Sequence, residues 1–171
     1  PLLKRYKLKA RPVPHEMLDQ WRENFKGVRY LHKPTNLEIF GAIDDLWQDE
    51  KGEYIVVDYK ATSKKDEITG LEQVWRGGKQ YKRQLEVYQW LLRRNGLKVS
   101  NTGYFVYCNG VARDGMAFDK RLEFEVNLIA YTGSDRWVPR TIKEIKKVLD
   151  GKRAPNAAPD GEHRQYRRAA E

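Results

Sequence analysis

The chain holds a single cysteine among 171 residues, Cys108, so it cannot close an internal disulfide. A disulfide-stapled scaffold is excluded and a cytoplasmic location is expected. No apolar run approaches the length that spans a bilayer, and the N-terminus lacks the apolar core of a secretory signal. No membrane partner is therefore expected. Internal repeats and low-complexity tracts are absent. Acid is the scarcer charge, with 24 Asp+Glu against 33 Lys+Arg and a net charge of +9. That balance favours an anionic partner, of which nucleic acid is the commonest, although solubility alone would also explain it. Apolar residues are not scarce. At 40% of the chain they suffice for one domain with a real core. Cys108 ends the apolar run Tyr104-Phe105-Val106-Tyr107 and reads as a buried structural thiol.

The stretch from Gly41 to Lys60 carries the chemistry. Two β-prone runs, Gly41–Trp47 and Glu53–Lys60, flank the polar turn Gln48-Asp49-Glu50-Lys51-Gly52, which predicts a hairpin. Each run carries acid where a strand normally stays apolar: Asp44 in the first, Asp58 at the end of the second. Residues two apart on a strand share a face, so Asp58 and Lys60 project together. Pairing of the two strands through the turn would bring Asp44 beside Asp58. Two carboxylates suit a hard cation bound through oxygen. A lysine beside them can hold the attacking water or stabilise developing negative charge.

Downstream, Gln80–Asn95 is the clearest helix. Tyr81, Leu85, Tyr88 and Leu92 form one stripe, and Asn95-Gly96 ends it. Gln84 and Tyr88 stand one turn apart on one side. A buried amide needs partners, so Gln84 on a core-facing side calls for an explanation that packing alone does not give.

An isolated Asp-x-Lys arises by chance roughly once in one or two chains of this size. The weight lies in the ordered set: Gly41 and Asp44, then Asp58-Tyr59-Lys60, then Gln84 and Tyr88. From Val28 onward this set resembles the PD-(D/E)XK nuclease superfamily. Within it, the pattern is most similar to the RecB-like branch, which includes the CRISPR-associated adaptation exonucleases. The resemblance implies an α/β fold with a restriction-endonuclease-like core, a mixed central sheet flanked by helices. It implies Asp44 and Asp58 as metal ligands, Tyr59 as a ligand through its backbone carbonyl, and Lys60 as the catalytic lysine. Gln84 and Tyr88 would support the site or the DNA. The implied cofactor is Mg²⁺ or Mn²⁺. The implied partner is DNA, single- or double-stranded, within a larger repair or defence complex.

The remaining segments are read as follows. Residues 1–14 form a basic N-terminal arm, 15–150 the nuclease core, and 151–171 a C-terminal tail. His15 at a helix start is either an N-terminal polar residue or a further site residue. Glu16–Phe25 is a short helix, with Gly27 as its stop. Val28–His32 is a strand, Lys33–Asn36 a turn, and Leu37–Trp47 a continuous second strand. On that strand Asp45 points away from Asp44, and a bulge would make it the fallback ligand. Residues 61–78 form a long polar connection suited to a DNA-contacting flap, where Trp75 either stacks on a base or pins the loop. Thr102–Asn109 is a buried strand and Arg121–Ala130 a half-exposed one near a sheet edge. Ser134-Asp135 caps a helix running to Leu149, with Trp137, Ile142, Ile145, Val148 and Leu149 inward.

The tail reads Pro159-Asp160-Gly161-Glu162-His163-Arg164-Gln165-Tyr166-Arg167. Many RecB-like nucleases carry cysteines where Gly161 and Arg164 stand, and those cysteines hold an iron–sulfur cluster. One cysteine cannot supply such a cluster, so none is expected. RecB-like nucleases also carry an upstream helix with a His or Glu at the metal site, and no convincing equivalent is visible here. The reading is a metal-dependent exonuclease acting on DNA in repair, recombination or mobile-element defence. Its rivals are a catalytically inactive nuclease-fold DNA-binding or scaffold module and an oxygen-ligand metal enzyme with another substrate.

Overall fold

The computed structural model describes residues 1–111, 120 and 122–156, without the side chains of Trp75 and Arg76. The Gly161 and Arg164 positions and the first residue of the Arg121–Ala130 run lie outside the described residues, as does the question of what Trp75 touches.

The elements in order are α1 (Leu2–Arg5), β1 (Ala10–Pro12), α2 (Leu18–Arg22), β2 (Val28–His32), β3 (Leu37–Gly41), β4 (Asp45–Asp49), β5 (Tyr54–Thr62), α3 (Lys79–Arg94), β6 (Thr102–Gly110), β7 (Phe124–Thr132) and α4 (Val138–Leu149). Five strands form one mixed sheet in the order β1-β4-β5-β6-β7, and β2 and β3 form a separate antiparallel pair. The fold is α/β, with the central sheet flanked by helices, as the pattern implied.

Strand β5 is the axis of the sheet. It pairs antiparallel with β4 and parallel with β6, and α3 makes the crossover between β5 and β6. A parallel neighbour requires such a crossover, which covers a sheet face. The strand is accordingly apolar on both sides. Val56 enters a core shared with Leu85, Leu91 and Leu92 of α3. Ile55 and Val57 enter a second core with Trp47, Val106 and Leu128. Strand alternation then places Asp58 and Lys60 on the α3 face with Val56.

The predicted hairpin is present. Asp45 pairs with Val57 and Gln48 with Tyr54. Its turn is held by the Asp49 carboxylate, which accepts the N–H groups of Lys51 and Glu53 at 2.9 Å. Cys108 is half-buried against the second core and unpaired.

Several local expectations need correction. The N-terminal stretch is not loose: Ala10–Pro12 adds an edge strand to β4, and Leu2, Leu3 and Leu8 cover the second core. The cations Lys4, Arg5 and Lys7 among those leucines hide the pattern in the sequence. The helix after His15 is shorter than expected, and Gly27 closes a turn onto the Glu23 carbonyl beyond the helix end. In α4, Ser134 and Asp135 do not cap. Trp137 is the N-cap residue, the Ser134 N–H goes to Glu86, and Asp135 pairs with Arg93 at 2.8 Å. Only Val138 and Ile142 of that helix are buried, while Ile145, Val148 and Leu149 are exposed. β7 is the half-exposed edge strand expected, with Phe124 outward.

Candidate active site

The expected strand Leu37–Trp47 is two strands. β3 belongs to the small sheet and β4 to the large one, so the chain crosses between sheets at Ala42–Asp44. Ile43 fixes the crossing: its side chain is fully buried and its N–H reaches the Trp21 carbonyl at 3.1 Å. Asp44 follows in no ladder. Its carboxylate extends the pairing where the backbone stops, because Oδ2 accepts the Tyr59 N–H at 2.8 Å. The β4–β5 register, carried one residue past Asp45–Val57, sets Asp44 opposite Asp58.

Asp58 is 2% exposed. Burial pushes its carboxyl above the ordinary 3.8, with Asp44 adding to the rise and Lys60 opposing it. The Lys60 ammonium stands 2.5 Å from Asp58 Oδ2. Its hydrogen bond and its charge both oppose the rise at Asp58. Lys60 Nζ donates to Gln84 Oε1 at 3.2 Å and sits over the Tyr81 ring, 4.8 Å from its centroid. Gln84 Nε2 in turn donates to the Tyr88 hydroxyl at 2.8 Å. Burial pushes the Tyr88 phenol up, and the charges of Asp58 and Asp44 add to it against the Gln84 hydrogen bond. The phenol therefore stays protonated at neutral pH, and its own proton remains free to donate.

The residues singled out from the sequence thus converge. Asp44 and Asp58 come from two strands, Lys60 from the same face as Asp58, and Gln84 and Tyr88 from the helix above. The need for partners at Gln84 is met by Lys60 on one side and Tyr88 on the other. Tyr59 takes part through its N–H to Asp44, and its hydroxyl donates to Asp45 Oδ2 at 3.0 Å. Burial, then the Asp45 bond, pushes that phenol up to about 12.

Two alternatives close. Asp45 is no fallback ligand, because its oxygens are already taken. Oδ1 accepts from Arg22 Nη2 and the Leu46 N–H, both at 2.9 Å, and Oδ2 from Tyr59 and from Trp47 Nε1 at 3.3 Å. His15 stacks on Trp21 at 4.5 Å and lies edge-on to Tyr54, and its Nδ1 accepts the Met17 N–H. It is an N-terminal polar residue of the α2 region.

The 61–78 connection is also less free than its composition suggests. Ile68, Leu71 and Val74 are buried, and Asn109 and Asn127 bind its backbone at Lys64, Asp66 and Ile68. Three apolar residues spaced three apart were the signal for the short 3₁₀ turns that form there. Arg22 and Tyr81 were missed as neighbours of the site. Arg22 donates from Nε to the Asp44 carbonyl at 2.8 Å, across 22 residues of sequence and with no motif to mark it.

The donor set fits a hard divalent cation. Asp44 and Asp58 offer carboxylate oxygens, and at the buried Asp58 Oδ2 the Lys60 ammonium already marks a place where positive charge is well received. Among the described residues, no group of three or more His, Cys, Asp or Glu side chains is placed to hold a metal. Among the described residues, no helix is long and apolar enough to cross a membrane.

A family model, that of the PD-(D/E)XK nuclease superfamily, matches residues 3–166. No curated protein and no solved structure matches the chain.

Proposed function

Because the chain belongs to the PD-(D/E)XK nuclease superfamily, and so to hydrolases that act on nucleic acid, we propose that it is a metal-dependent deoxyribonuclease of the RecB-like branch. It acts as an exonuclease in DNA repair, recombination or defence against mobile elements. The observation that carries this reading is the connected row Asp58–Lys60–Gln84–Tyr88, with Asp44 facing Asp58.

Asp44, Asp58 and the Tyr59 carbonyl would hold Mg²⁺ or Mn²⁺. When bound, the ion neutralises charge on the scissile phosphate and makes water more acidic. The rest is done by the chain. Lys60 keeps one of its three N–H bonds on Gln84 and is only partly exposed, so its ammonium is aimed rather than mobile. It holds the attacking water and stabilises the charge that develops on phosphate oxygen. Gln84 fixes Lys60 and Tyr88 together. Tyr88, kept protonated by its surroundings, holds Gln84 from behind and keeps an O–H donor on the site side.

Cations on α3 support a nucleic-acid substrate. Lys79, Lys82 and Arg83, on the same helix as Gln84, line a cleft of about 540 Å³ with Glu86, Tyr131 and Trp137, and the Glu86 carboxylate is taken up by Tyr131, Trp137 and the Ser134 N–H. None of the three has an acidic partner among the described residues. Phosphates would supply the missing charge.

The test is cleavage of linear and circular, single- and double-stranded DNA, and of RNA, with Mg²⁺ or Mn²⁺. Loss of linear DNA with sparing of circles supports the exonuclease. Cutting of circles makes it an endonuclease, preference for RNA overturns the DNA assignment, and binding without cutting under either metal makes it an inactive nuclease-fold module.

A further inference from the structure

Asp44 is poorly held by its own backbone. It lies between two sheets, in neither ladder, so no strand hydrogen bonds fix it. Two contacts take their place. The carboxylate binds the Tyr59 N–H, and the carbonyl binds Arg22 Nε, each at 2.8 Å. The same guanidinium reaches Asp45 with Nη2 at 2.9 Å. Asp45, only 8% exposed, also takes the Tyr59 hydroxyl. The four residues close a ring: Arg22 to Asp44, Asp44 to the Tyr59 backbone, the Tyr59 side chain to Asp45, and Asp45 back to Arg22.

We infer that Arg22 is a positioning residue for Asp44, anchored in place by Asp45. The inference rests on Asp44 being a metal ligand, as proposed above. A carboxylate that binds a cation must present its oxygens at a fixed angle, and groups behind the ligand that set that angle contribute to affinity. Asp45 is buried and held by four donors, which fixes its carboxylate rigidly. Its placement makes sense as the fixed point against which Arg22 braces the Asp44 backbone. Arginine suits the task because its diverging N–H groups reach two acceptors at once, which a lysine ammonium on a flexible stem does less rigidly. The remaining Arg22 contact, to exposed Asp19 at 3.8 Å, is too long and too solvated to compete.

The experiment compares wild type, Arg22→Ala, Arg22→Lys, Tyr59→Phe and Asp44→Ala by calorimetric Mn²⁺ titration of metal-free protein, thermal melting in chelator, and cleavage across a Mn²⁺ series. Arg93→Ala is the control. It breaks another arginine network, to Asp135, Val99, Ser100 and Asn101, away from the site. Arg22→Ala should weaken Mn²⁺ binding on the order of tenfold or more, as loss of an outer support to a ligand commonly does. Cleavage by that variant should fall at limiting Mn²⁺ and largely recover at saturation. Arg22→Lys and Tyr59→Phe should fall between it and wild type, and they carry the test if Arg22→Ala does not fold. Arg93→Ala should melt earlier with Mn²⁺ affinity unchanged. If Asp44→Ala abolishes Mn²⁺ binding while the Arg22 and Tyr59 variants bind as wild type does, positioning by Arg22 is wrong and the metal site stands. If wild type binds no Mn²⁺, or Asp44→Ala binds it undiminished, the ligand assignment itself fails and the inference goes with it.

Discussion

The Tyr88 ring lies against Gly41, so closely that a Cβ added at residue 41 would stand 2.7 Å from Tyr88 Cε1. The first and last elements of the motif thus touch, and the glycine is there because the ring needs its space. Gly41→Ala should cost about 1–3 kcal/mol by overpacking, since Tyr88 is buried and has little room to yield. Cleavage should drop as well, because a displaced Tyr88 drags on Gln84. Denaturant melts and rates for Gly41→Ala, Tyr88→Leu and the double variant give the coupling. Additive losses would mean that the two residues act separately.

Asp44→Ala and Asp58→Ala should each abolish cleavage while leaving a folded protein. A variant cutting at the wild-type rate would remove that residue from the ligand set.

Asp58 also sets a pH dependence. Its folded carboxyl is raised above 3.8, chiefly by burial, so the folded form holds that proton more tightly than the unfolded chain does. The associated stability is present below the unfolded value and is lost as pH rises through the raised one. Asp58→Asn, which cannot ionise, should therefore raise the melting temperature of metal-free protein at neutral pH. The gain should shrink in acid, where Asp58 is itself protonated. A lower melting temperature at neutral pH would show that the Lys60 ion contact outweighs burial.

Lys60→Ala should slow cleavage at saturating DNA by about 100-fold or more, the usual loss for one preorganised electrostatic group. Affinity for DNA, titrated in Ca²⁺, should change little, because one cation among many is a small part of backbone binding. Small, equal losses in both would mean that Lys60 is only a phosphate contact.

Replacing Lys79, Lys82 and Arg83 by alanine should do the reverse. DNA binding should weaken, and its dependence on the logarithm of salt should flatten by about 0.9 for each duplex phosphate that is no longer neutralised. Cleavage at saturating DNA should be nearly unchanged. An unaltered salt slope would place the DNA elsewhere.

The sequence by itself determined the candidate residues and the central elements. Asp58 and Lys60 share a face by strand alternation alone, and Gln84 and Tyr88 share one by helical spacing. These are short-range periodicities, and the backbone enforces them wherever the segment sits. Tertiary structure decided what joins distant segments. It split Leu37–Trp47 at Asp44, because the two halves found partners in different sheets. It drew Ala10–Pro12 onto β4 and left the second half of α4 uncovered. It also set Arg22 behind Asp44 and saturated Asp45, although adjacent acids look alike on paper. Each of these outcomes turns on which groups compete for the same hydrogen bond or core volume, and that competition exists only once the chain has closed.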